Sequence, residues 1–231
     1  MQASTHAKFR ITILFFTALL GLQSIWLTLA ELSRAGVDRL PTDLSAAAAA
    51  AGRHDRAARA AEIGAIRGEL WAQSAFTYAD LLLGGHEETS DVEQKLTRAR
   101  VSLERALKDA PAQSGAWLLR AGLGQRYPYL GFDTIESLKM SYYTGPSEQD
   151  LIPLRLRLTA LSNAIGDVEI REFVGRDLRL LVVRKQQSAI ADAYNAASPP
   201  VKRFIEQTLG DIDRPTVESL RRGAQKQHLP D

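Results

Sequence analysis

Apolar residues run almost without interruption from Ile11 to Ala30, and no charged residue falls within those 20 positions. A helix rises about 1.5 Å per residue, so the run is about 30 Å long, the thickness of a bilayer core. Beyond it the pattern changes. Apolar positions return every three or four residues, the period of a helix with one buried stripe. Ile63, Ile66, Leu70, Trp71, Ala75, Tyr78 and Leu82 mark one such helix across 56–83, ended by Gly84-Gly85. Val92, Leu96, Ala99, Leu103, Ala106 and Ala110 mark the next, and Leu151, Leu154, Leu158, Leu161 and Ile165 a further one. Helices are also predicted over 114–126, 134–144 and 168–197, the last as one long helix or two with a bend near Gly175, and over 200–209 and 215–222. Thr42 or Asp43 caps a short helix through the alanine tract 46–51, which favours helix but has little to bury. Pro111, Gly145-Pro146, Gly166 and Pro199-Pro200 punctuate the pattern, and Gly210 and Gly223 stand where glycine closes a helix. No segment reads as a strand. The predicted fold class is all-α.

His6, Lys8 and Arg10 precede the apolar run, and the first thirty residues hold no acid. Positive charge before a first span keeps that end in the cytoplasm. A cleaved signal peptide has the same polarity, with Thr28-Leu29-Ala30 as its small-residue site, but its apolar core is usually about 7–15 residues. The longer run favours an uncleaved signal anchor. The expected organisation is a cytoplasmic basic N-terminus (1–10), a transmembrane signal anchor (11–30) and a linker (31–41). A helical domain (42–197) and a C-terminal part of short helices and tail (198–231) follow. The expected location is a bacterial inner membrane, single-pass, with the domain outside, in a periplasm if the cell has one.

Charge and composition narrow the classes. Lys and Arg total 29 against 27 Asp and Glu; setting aside Lys8 and Arg10 leaves 27 of each sign beyond the span. That balance argues against nucleic acid as a partner. With no cysteine, disulfides, thiolate metal sites, cysteine nucleophiles and a lipoprotein anchor are excluded. His54, His86 and His228 each lack a second histidine within four residues, as helical zinc pairs require, and His86-Glu87-Glu88 reads as a solvated loop. No serine sits in a Gly-x-Ser-x-Gly turn, no phosphate-cradling glycine loop occurs, and Gly122 and Gly124 lie in a helix without a preceding strand. No catalytic, metal or cofactor residue is assigned, and no enzyme is expected. Arg155 and Arg157 read as solvated, as does the alternating face Glu169, Arg171, Glu172, Arg176, Asp177 and Arg179.

Ala99, Leu103, Ala106 and Pro111 follow spacings of 4, 3 and 5, and Thr134, Leu138, Ser141 and Pro146 repeat them with the prolines 35 residues apart. Small residues let two helices approach, the large one fills the gap and proline ends the helix. Trp117 and Ala121 fall at the first-helix positions that follow, and Trp71, Ala75 and Tyr78 show the same pattern upstream, with an insertion around 84–91. These residues resemble a degenerate tetratricopeptide repeat, whose period is about 34 residues. The resemblance implies an array of antiparallel helix pairs, packed through Trp71, Tyr78, Ala99, Leu103, Ala106, Pro111, Trp117, Ala121, Leu138, Ser141 and Pro146. It also implies a groove faced by Gln125 and Arg126, with Tyr127 at its edge. The segments 66–71 and 141–146 are similar to uncharacterised membrane-anchored repeat proteins of alphaproteobacteria, some of which accompany polysaccharide-biosynthesis genes.

The turn carrying Tyr127, Tyr129, Phe132, Tyr142 and Tyr143 is open to two readings, core filler or a platform for peptide or glycan. The expected function is a scaffold or adaptor for an envelope protein, in polysaccharide assembly or export. The alternatives are a carbohydrate- or lipid-binding accessory protein and an enzyme with a site assembled from distant acids and arginines.

Overall fold

The computed structural model describes residues 2–84 and 90–227; His86-Glu87-Glu88 and His228 lie outside them. The helices are α1 (Gln2–Leu32), α2 (Leu44–Ala51), α3 (His54–Ile63), α4 (Gly68–Phe76), α5 (Asp80–Leu83) and α6 (Ser90–Asp109). There follow α7 (Ser114–Arg126), α8 (Thr134–Thr144), α9 (Ile152–Leu161), α10 (Val168–Val183), α11 (Gln187–Ala196), α12 (Pro199–Gly210) and α13 (Arg214–Gln227). The fold is all-α, with no strand among the described residues.

One stretch of α1, Phe9–Leu32, is long and apolar enough to cross a membrane. Its last two turns also belong to the domain. The Trp26 indole N–H donates to the Ile63 carbonyl at 2.6 Å, Ala30 is fully buried, and Arg56 donates to the Leu32 carbonyl at 3.4 Å. The segment 31–41, expected as a linker, is packed: Ala35, Val37 and Leu40 are buried, and Arg53 donates to the Ala35 carbonyl at 3.0 Å.

Helix α4 packs on α6, and α7 on α8. Both pairs are antiparallel, as their contacts show. In the first, Gly68 faces Ala110, Trp71 faces Arg105, Ser74 faces Ser102 and Asp80 faces Lys95, so one number rises as the other falls. In the second, Ser114 meets Gly145 and Gly124 meets Phe132 and Thr134. Close approach at one end demands small residues. A Cβ on Gly68 would lie 2.6 Å from the Ala110 nitrogen, and one on Gly145 would lie 2.5 Å from the Ser114 Cβ. Each first helix carries a tryptophan at its fourth position that donates to the carbonyl six residues upstream, Trp71 to Ala65 at 3.0 Å and Trp117 to Pro111 at 2.8 Å. Ala99, Leu103, Ala106, Ala121, Leu138 and Ser141 are fully buried between helices, as the spacing requires. Pro111 and Pro146 sit exposed in the exit turns, and Trp117 is half-buried, its ring covered by Arg120 at 5.4 Å.

After α8 the order changes. Helix α9 packs chiefly on α11 and α10 on α12, so consecutive helices interleave instead of pairing. Two predicted helices prove to be broken. The stretch 56–83 divides at Gly64, where the α3 cap closes on the Ala60 carbonyl and the Leu70 side chain fills the space a Cβ would need. The stretch 168–197 divides at Lys185 instead of Gly175. Lys185 takes φ 58°, its N–H reaches Val182 O, and the Gln186 N–H reaches Leu181 O, the paired bonds with which glycine usually closes a helix. Gly223, expected as a cap, lies inside α13.

Candidate functional site

Helix α4 is flanked by α3 on one side and α6 on the other, and their exposed edges enclose a groove of about 610 Å³. Trp71, Ser74 and Tyr78 form its floor and are themselves largely buried, 8%, 2% and 3% exposed. Asp55, Arg59 and Glu62 line the α3 wall; Arg98, Val101 and Ser102 line the α6 wall. The floor is held in place by its neighbours. The Trp71 indole is tied to Ala65, the Ser74 and Ser102 hydroxyls are hydrogen-bonded at 3.0 Å, and Arg105 lies over the Trp71 ring at 5.0 Å.

A second cavity of about 470 Å³ extends the groove, sharing Asp55, Arg59, Tyr78 and Arg98 and adding His54. The His54 ring stacks on Tyr78 at 4.3 Å, and its Nδ1 lies 2.7 Å from the Thr77 hydroxyl. Half-burial pushes the His54 pKa below its ordinary value, more strongly than Asp80 pulls it up. Burial likewise raises Tyr78. Acidic and basic side chains alternate along the α3 wall, and Arg98 adds a positive charge on the α6 wall. Such a surface is suited to a segment with mixed charges and an apolar or aromatic anchor. Among the described residues no group of three or more His, Asp or Glu side chains is placed to hold a metal ion.

The residues expected to face a groove are distributed elsewhere. Gln125 donates to the Leu161 carbonyl at 2.9 Å, and Arg126 donates to the carbonyls of Leu82 at 3.1 Å and Gly84 at 2.7 Å. The Tyr127 hydroxyl donates to Leu81 O at 3.4 Å. These three satisfy carbonyls left open at the ends of α5 and α9. Tyr142 is buried and stacks on Phe173 at 4.8 Å, so it presents no surface. Tyr143 is exposed and donates to Glu169 at 2.8 Å, beside Lys139, which pairs with both Asp167 and Glu169. The five side chains do not share one face.

The reading of Arg155 and Asp177 as solvated is also corrected, because both are in the core, 1% and 2% exposed. The Arg155 guanidinium donates to Ser141 Oγ at 3.1 Å, the Ser141 carbonyl at 2.5 Å and the Gly145 carbonyl at 3.0 Å, and lies 4.6 Å over the Tyr142 ring. The Tyr142 hydroxyl sits beside the Asp177 carboxylate without meeting hydrogen-bond geometry. Burial raises Asp177 and Tyr142 and lowers Arg155, while the mutual attraction of Arg155 and Asp177 opposes it. Spacing carried the signal for both. Arg155 follows Leu151 by four residues, and Asp177 follows Ile170 by seven, so each stands on its helix's apolar stripe. Val101 carried the signal for the groove, as an apolar residue off the buried face of α6.

No protein-family model, curated protein or solved structure matches this chain.

Proposed function

We propose that the protein is a membrane-anchored helical scaffold that holds a partner protein in the groove between α3 and α6. The groove's held aromatic floor carries this reading. Trp71 and Tyr78 are oriented before any partner arrives, and the flanking arginines and carboxylates are available for pairing. Aromatic and arginine side chains dominate binding energy at protein interfaces, and ordering them in advance lowers the entropy lost on binding.

The two matching hairpins support a repeat of the tetratricopeptide type confined to α4–α8, with the interleaved helices α9–α13 packed behind it. Such pairs recognise partners through side chains on their exposed faces and need no catalytic residue. Lys8 and Arg10 ahead of the span favour a cytoplasmic N-terminus, hence a periplasmic domain in a bacterial inner membrane. The sequence resemblance favours polysaccharide assembly or export as the setting.

The absence of cysteine makes the test direct. A Val101→Cys chain carrying a photoactivatable benzophenone is irradiated in intact cells of the source organism. The expected result is one dominant protein adduct that disappears when Arg59→Glu and Arg98→Glu are added. Adducts no different from those of a probe at the exposed Val183 on α10 would overturn the proposal.

A further inference from the structure

We infer that the turn between α3 and α4 is a second membrane contact, with Ile66 seated in the bilayer interface beside the anchor. The inference rests on α1 being the membrane span. Contacts along α1 set the depth of the turn. Trp26 meets Ile63, whereas Leu32, six residues further on, meets Arg56, so α3 runs back along α1 toward the bilayer. Trp26 therefore lies about 9 Å below Leu32 along the helix axis.

From Ile11 to Ala30 the helix is roughly 30 Å long, which matches a hydrocarbon core of about 30 Å. Ala30 thus falls at the boundary where the core gives way to headgroups, with Trp26 about 6 Å deeper, just beneath the interface that tryptophan favours. The turn is at the level of Ala30, because a Cβ on Gly64 would lie 3.6 Å from the Ala30 Cβ. Its tip is apolar and outward: Ala65 and Ile66 are exposed, Ile66 by 76%. The tip is also held. Arg67 N–H closes the turn onto Gly64 O at 2.7 Å, and the Trp71 indole grips the Ala65 carbonyl. The adjacent Arg67 guanidinium is neutralised by Glu31 and Glu69. A bilayer is the one apolar phase that the anchor itself brings to this tip. The contact would fix the tilt of the domain, and with it the direction in which the groove opens.

Single cysteines in the full-length chain test this after labelling with an environment-sensitive fluorophore and reconstitution into vesicles of phosphatidylcholine and phosphatidylglycerol. Leu19→Cys reports the span, Ile66→Cys the turn and Ile212→Cys a remote exposed site. The expected result is quenching by lipid-borne spin labels at Leu19 and Ile66 but not at Ile212, with iodide quenching several-fold weaker at Ile66 than at Ile212. Ile66 behaving like Ile212 while Leu19 stays lipid-exposed would overturn the turn contact and leave the anchor standing. Water exposure at all three would overturn both. Because Ile66 is exposed, its replacement does not disturb the core.

Discussion

Of the arginines that lie over aromatic rings in this protein, Arg105 and Arg155 form a contrast that separates surface from support. Arg105 covers Trp71, a floor residue of the α3–α6 groove, at 5.0 Å and is itself exposed. Arg155 covers Tyr142 at 4.6 Å between α8, α9 and α10 and is buried. Around Arg105, water is present and a partner can replace it. Around Arg155, three backbone and hydroxyl acceptors and the facing Asp177 carboxylate take the place of water. The same pair of chemical groups therefore stays open to solvent in one place and holds helices together in the other. What differs is solvent access.

The largest effect expected from this contrast is on stability. Arg155→Ala removes the donor for three acceptors and leaves Asp177 without its opposing charge, at a cost of about 3–5 kcal/mol. Arg105→Ala loses only an exposed ring contact, about 0.5–1 kcal/mol. Urea unfolding of the full chain in detergent, followed by circular dichroism, measures both. Equal losses would break the comparison. Replacing Arg155 with Met and Asp177 with Leu together is expected to cost less than Arg155→Ala, because no buried charge is then left alone.

The next effect concerns the two hairpins. Gly68→Val and Gly145→Val each force side-chain atoms into the facing helix end, at a cost of about 1–3 kcal/mol. Similar losses at the two sites would support their structural equivalence. A loss at only one would show that the hairpins close differently.

Acid–base behaviour gives a smaller contrast, with opposite signs in the two regions. Asp177 has a raised pKa, so the folded state holds its proton more tightly than the unfolded chain. Its contribution is fully present below the ordinary Asp value of about 3.9 and is lost as pH rises through the raised folded value. His54 has a lowered pKa, so its contribution is present above the ordinary value of about 6.5 and is lost as pH falls below it. Stability curves measured against pH should flatten on the low side of neutrality for His54→Gln, and above about pH 4 for Asp177→Asn. The smallest stability effect is expected at the groove wall. Val101→Glu should leave unfolding within about 0.5 kcal/mol of the parent, yet abolish the photoadduct formed from a probe at Arg105→Cys.

Much of the helical framework was legible in advance. Helices α7 and α8 begin and end where predicted, because serine, threonine, glycine and proline mark their boundaries locally. The break at Lys185 was not legible, since a lysine there does what glycine ordinarily does and nothing in the local pattern announces it. Arg155 and Asp177 differ for another reason: both stand on apolar stripes, and a charged side chain there is read as solvated unless distant acceptors take the place of water. The aromatic turn illustrates a third kind of difference: Tyr142 and Tyr143 are neighbours in sequence and both touch Phe173, yet one is buried and the other half exposed.

By itself the sequence determined the long apolar helix, the all-α class and the small–large–small spacing that lets α4 meet α6 and α7 meet α8. All three follow from interactions within a few residues: helix rise, apolar period and steric bulk. Only the tertiary structure decided that α1 docks through Trp26 and Ala30 and that α9–α12 interleave. It alone also set Arg155 and Asp177 together in the core, and left Trp71 and Tyr78 as the floor of an open groove. Those outcomes depend on which distant helices exclude water from which faces, and chain-local patterns carry no record of that.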